Sequence, residues 1–247
     1  FYLYPLDKSF DADGKDLNAT PNGSFYTFTS RLGLDVTGPD IGKARSSAKI
    51  ETDFGGFSGS NTMLRIRQAY VNLDWGKSAV LVGITWHPLF GAVMPDVLNL
   101  STGAPFQPFN RSPQIRYQYK ANSRVQLTAS VLWQLQYLSS GPKGMSEDYI
   151  KNSCIPEMFV GADFTPADGW LMGLGAHMIS LKPRTSTEWK EQTFKVNERM
   201  TAFSYEAHLK YSGRNYTFAA KTLMASALDH TALLGGYGVS SVDSRTG

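Results

Sequence analysis

The residues able to do chemistry in this chain are mostly charged side chains that recur at every second position. Arg31 and Asp35, then Lys49, Glu51 and Asp53, then Arg65 and Arg67, then Arg116 and Arg124 follow this spacing, and Asp96 and Arg111 lie in the long stretch between two such segments. Acids and bases interspersed along one side of extended segments set up a field that attracts or repels ions, which is the chemistry of a charged, water-filled passage. Catalysis needs a nucleophile, a base and an orienting group within reach of one another. The four histidines, His87, His177, His208 and His230, are scattered and isolated in the sequence, and neither H-E-x-x-H nor G-x-S-x-G occurs. Ser140 and Lys143 match S-x-x-K only across a Gly-Pro turn. No enzyme activity and no cofactor are expected. Asp11, Asp13 and Asp16 are spaced somewhat like a calcium loop, but the Glu that closes an EF-hand loop is absent, and a solvated loop accounts for them equally well.

Composition narrows the class further. The 24 basic and 21 acidic residues leave a net charge of +3 without any basic tract, so the electrostatic footprint of nucleic-acid binding is missing. Cys154 is the single cysteine, which excludes an internal disulfide and a multi-cysteine metal site. No run of eighteen apolar residues occurs, so any membrane crossing would be made by strands. The chain opens without an export signal and closes on a polar stretch, and we expect one domain, 1–247, incomplete at both ends.

The charged positions must be held by β-strands, because polar and apolar residues alternate with period two from about residue 24 to 224. Strands are predicted at 24–37, 44–54, 63–75, 79–87, 114–120, 124–136, 157–164, 170–181, 200–211 and 216–224. Turn formers fill the short connections 38–43, 76–78, 121–123, 165–169 and 212–215, while 55–62, 88–113, 137–156, 182–199 and 225–247 are longer. Short and long connections alternate strictly, as in an up-and-down transmembrane antiparallel β-barrel with its turns at one rim and its loops at the other.

The two faces differ sharply. Leu32, Leu34, Val36, Ile50, Val80, Val82, Ile84, Leu127, Val131, Met172, Leu174, Phe203 and Leu209 belong to a face free of charge, flanked at strand ends by Trp75, Trp86, Trp133, Trp170 and several tyrosines. The opposite face carries the charged candidates together with Glu157, Asp163, Glu206, His208 and Lys221. An uncharged strip flanked by aromatic rings suits contact with lipid, and an ionic face suits a wet lumen. The other reading of the same alternation is a soluble barrel with a dry core. One strand breaks parity: Arg65 and Arg67 share it with Ala69 and Val71, which predicts a β-bulge near 67–69. Loop 88–113 has five prolines and large apolar residues that include Leu89, Phe90, Val93, Met94, Val97, Leu98, Phe106 and Phe109, which suits a rigid loop folded into the lumen as a pore constriction. Basic candidates slightly outnumber acidic ones, so a mild anion preference is expected.

The segments Ser30–Pro39, Lys49–Phe54, Leu64–Val71, Gly83–Phe90 and, most distinctively, Thr102–Arg116 resemble the porin-like outer-membrane proteins of the Bacteroidota. That resemblance covers about residues 30 to 120. It implies a cell-outer-membrane barrel of about sixteen strands, of which this sequence would lack the first and several of the last. It also implies passive diffusion of small hydrophilic solutes, contact with outer-membrane lipids, and a homotrimer. The competing reading within the same compartment is a structural or assembly-associated barrel that does not conduct.

Overall fold

The structure is a computed structural model that describes residues 6–21, 23, 30–56, 63–98 and 101–244. Ten strands form one antiparallel sheet: β1 (Arg31–Thr37), β2 (Arg45–Asp53), β3 (Arg65–Asp74), β4 (Ser78–Trp86), β5 (Arg111–Lys120), β6 (Val125–Leu132), β9 (Glu157–Phe164), β10 (Trp170–Leu181), β13 (Met200–Ser212) and β14 (Thr217–Met224). They pair in that order, an up-and-down meander. Two small hairpins, β7 (Ser140–Gly141) with β8 (Gly144–Met145) and β11 (Ser186–Trp189) with β12 (Gln192–Lys195), lie in long loops together with α1 (Asp148–Ser153). Among the described residues no helix is long and apolar enough to cross a membrane.

The ten predicted strands are the ten strands of the wall, apart from positions 24–29, which lie outside the described residues. Two boundaries move. β5 begins at Arg111, not 114, because residues 111–113 pair with β4 beyond the last β5–β6 partners, Gln114 and Leu132. Pro113 is therefore not required to donate to a second neighbour. β6 stops at Leu132, not 136, since the chain turns inward there and buries Gln134 completely. The hairpins and the helix inside 137–156 and 182–199 were not anticipated; each is too short to show a periodic pattern.

Short turns keep their predicted places. At one of them Gly169, at φ +80°, sits so close to Ser212 that an added Cβ would lie 2.5 Å from its carbonyl oxygen. The predicted bulge is present: Glu51 pairs with Gln68 but Thr52 pairs with Ile66, which leaves Arg67 as the extra residue. It lets Arg67 and Gln68 both turn away from the lipid-type face, while Ile66 and Val71 remain exposed on it.

The sheet is inside out relative to a soluble protein. Leu32 (63%), Val82 (49%), Leu127 (44%) and Leu174 (67%) are exposed on its outer face. Arg67, Ser130, His177, Glu206 and His208 are buried on its inner face. The sheet also curls. Lys221 on β14 donates to the carbonyls of Leu89 and Phe90, which directly follow β4. Six inter-strand steps separate those strands in the sheet order, about 29 Å if laid flat at the usual spacing. Leu89 then packs with Leu132, Phe159 and Leu228, so the inner sides of β6 and β9 meet the same loop. Because Leu174 faces outward in mid-strand, Leu174→Arg is expected to cost about 2–4 kcal/mol in a bilayer. Denaturant unfolding in lipid vesicles measures this, and a neutral result would contradict contact with hydrocarbon.

Candidate functional site

Two groups of polar side chains occupy the enclosed side of the sheet. The first lies along β2, β3 and β5. Arg65 makes a two-pronged contact with Asp53, Nε to Oδ1 at 2.8 Å and Nη2 to Oδ2 at 2.6 Å. Arg67 joins Asp53 at 2.9 Å and Glu51 at 2.5 Å. These four predicted residues are thus brought together, and they neutralise one another. Arg111 stands beside them with its guanidinium 4.7 Å from the centre of the Trp86 ring, which itself stacks on Phe90 at 4.1 Å. The Arg111 side chain is fully buried and one nitrogen donates to the Tyr137 hydroxyl, while Nε and Nη1 have no partner. Arg116 donates to the Gln114 side chain and the Trp86 carbonyl. Neither Arg111 nor Arg116 faces a carboxylate among the described residues.

The remaining predicted candidates do not join this group. Lys49 and Asp35 form a pair near the sheet edge, and Arg31, Asp96 and Arg124 are exposed. Asp11 and Asp16 spend carboxylate oxygens on nearby backbone N–H groups, Asp11 on Asp13 and Lys15, Asp16 on Ser9 and Asn18.

The second group was not anticipated, and it corrects the view of the histidines as isolated. Glu157, the first residue of β9, presents Oε2 to the Nε2 atoms of His87 at 3.3 Å, His177 at 3.3 Å and His230 at 3.2 Å. All four side chains are 0–1% exposed. Register explains two of them: His177 on β10 pairs with Phe159, two residues along from Glu157, so both side chains point inward on adjacent strands. His87 caps the short 3-10 turn Pro88–Phe90, where its Nδ1 accepts from Leu89 N–H at 3.2 Å. His230 sits in a second 3-10 turn, Asp229–Thr231, tied to the long loop by Asn110 donating to the His230 carbonyl and Phe109 N–H to that of Thr231. Gln134 holds the other carboxylate oxygen at 2.8 Å and is itself fixed by Ser139.

Burial pushes the His87 ring down to about 4, against the pull of Glu157, so it is neutral near pH 7. Burial also opposes a charge on His230, but the nearby Glu157 carboxylate outweighs it and raises this ring above its ordinary value. The fourth histidine, His208, bridges Asp163 at 3.1 Å and Glu206 at 3.3 Å, lying flat over Gly173, where a side chain would collide with it.

A cavity of about 460 Å³ lies next to both groups, lined among others by Trp86, His87, Arg116, Asp163, Glu206 and His208. Loop residues Pro88, Phe90, Gly91 and Met94 form part of its wall, so the loop after β4 enters the enclosed space. Three small apolar clusters close the neighbouring volume, around Tyr149 and Ile179, around Leu89 and Phe159, and around Phe90 and Phe109.

No protein-family model and no curated protein matches this sequence. Solved structures do. OmpTΔL8, a loop L8 deletion mutant of OmpT, an outer membrane protein of Vibrio cholerae, superposes with a TM-score of 0.53 at 13% identity, over 80% of this chain and 61% of that one. Outer-membrane expressed OmpT of Vibrio cholerae gives 0.47 at 12% identity, over 79% and 57%. A mutant of Rh. blastica porin gives 0.28 at 10% identity, over 78% and 83%. The chain therefore spans about three-fifths of the length of the two Vibrio proteins. At this level of identity the likeness is one of fold: an all-β, antiparallel up-and-down sheet of the outer-membrane barrel type.

Proposed function

We propose that this chain is part of an outer-membrane porin through which small hydrophilic solutes diffuse, with loop 88–113 narrowing the lumen. The observation that carries the reading is the inside-out sheet, apolar and exposed on one side, ionic and enclosed on the other. Such an arrangement has low free energy only when hydrocarbon meets the outer face and water or paired charge fills the inner one. The motifs between residues 30 and 120, which resemble the porin-like proteins of the Bacteroidota, support this reading, and a homotrimer belongs to the same proposal.

The lumen favours anions. Glu51 and Asp53 are matched by Arg65 and Arg67, Asp163 and Glu206 by His208 and Lys221, and Glu157 by the imidazoles around it, which leaves Arg116 at the cavity wall and the buried Arg111 as cations without a facing carboxylate. A non-catalytic role fits the burial of the histidine cluster, of which only His87 reaches the cavity wall.

Planar-bilayer recording tests the proposal. Stepwise conductance is expected, with a reversal potential in a salt gradient on the anion side. Arg116→Glu, at the cavity wall, is expected to move that potential toward cation selectivity. The absence of steps would favour the second reading, a barrel plugged by its own loops, which the three packed clusters support.

A further inference from the structure

We propose that Glu157, His87 and His177 form a binding site for one divalent first-row transition-metal ion, of which zinc is the representative, with His230 beside it. Three imidazoles share one carboxylate oxygen, which has lone pairs for only two good donors because the other oxygen is already committed to Gln134. Their separations of 3.2–3.3 Å exceed the 2.7–2.9 Å of a charge-assisted hydrogen bond between nitrogen and carboxylate. For His87 and His177 they match instead the distance between neighbouring ligands around a tetrahedral ion, about 3.3 Å for bonds near 2.0 Å. The His87, Glu157 and His177 ligand atoms all lie within 4.8 Å of one another.

The surroundings fit such an ion. Imidazole nitrogens with one carboxylate form a donor set suited to zinc, nickel, cobalt or copper and not to calcium or magnesium. Gln134, braced by Ser139, fixes the free carboxylate oxygen, as the outer partners of metal ligands do. His87 lines the 460 Å³ cavity, which gives an ion its route in.

The ligands are not equal. A neutral imidazole bound through Nε2 carries its proton on Nδ1, and at His87 that atom faces the Leu89 N–H. At His177 nothing opposes Nδ1, which is buried without a hydrogen-bond partner. Substitution of His87 should therefore weaken binding less than substitution of His177. Because the ligands come from β9, β10 and the residue after β4, the ion would fasten the start of the long loop to the wall.

The test uses the chain carrying no histidine tag, refolded in detergent with zinc or cobalt(II), then desalted. One equivalent of metal by elemental analysis is expected, with a visible cobalt spectrum showing nitrogen and oxygen ligation and a rise in melting temperature that a chelator reverses. His177→Ala and Glu157→Gln should each weaken zinc binding at least tenfold, by competition with a chromophoric chelator, while His208→Ala leaves it unchanged. If the variants do not fold, the cobalt spectrum and the melting shift of the unsubstituted chain decide alone. Less than one equivalent bound, an unshifted melting temperature, or binding that persists undiminished in folded His177→Ala would overturn the site. None of these results depends on whether the barrel conducts.

Discussion

Glu157→Ala is expected to destabilise the barrel by about 3–5 kcal/mol, because it removes the shared partner of three fully buried imidazoles and leaves them facing one another. Gln134 loses one of its two acceptors at the same time and keeps Ser139. Glu157→Gln keeps the shape and one acceptor oxygen, so a smaller loss of about 1–3 kcal/mol is expected. Denaturant titration in lipid vesicles measures both, best with chelator present so that protein interactions alone are read. Equal, near-zero effects would mean that the cluster is incidental to stability. The effect should also be local in origin: Leu89, His87 and His230 belong to loop segments, so their release ought to show first as proteolytic sensitivity in 88–110 and 225–235.

Removing the middle of the long loop gives the largest expected change in transport. Replacement of residues 92–106 by a short Gly-Ser linker keeps the anchors, namely Phe90 and Phe109 near Trp86, Asn110 on the His230 carbonyl, and His87 on Glu157. It clears side chains from the enclosed side of β14, where Lys221 meets the loop backbone. Single-channel conductance should rise several-fold. A native chain that is silent and a deletion that conducts would establish a loop plug. Unchanged conductance would place the narrowing elsewhere, and a silent deletion would remove the channel reading altogether.

Much of the wall could be read directly from the order of residue types. A strand's side chains alternate between faces, so purging charge from one parity, as in Leu32, Leu34 and Val36 or Met172 and Leu174, identifies the face before any fold is known. The bulge at Arg67 was legible for the same reason, since four residues of one parity could not all meet lipid. The ion pairs of Arg65 and Arg67 with Asp53 and Glu51 follow from register between neighbouring strands.

The histidine cluster was different. Glu157 and its three imidazole partners are separated by between 20 and 73 residues. One signal was available: Glu157 and His177 fall on the enclosed parity of strands joined by a short turn, so they had to sit at similar depth. Nothing comparable located His87 or His230, whose positions depend on how two irregular loops fold across the interior. Local alternation thus determined strand, face and turn, because each is set by neighbours in sequence. Only the curl of the sheet decided which loops crossed its enclosed side and which side chains met there, because loop paths are fixed by packing between residues far apart in the chain.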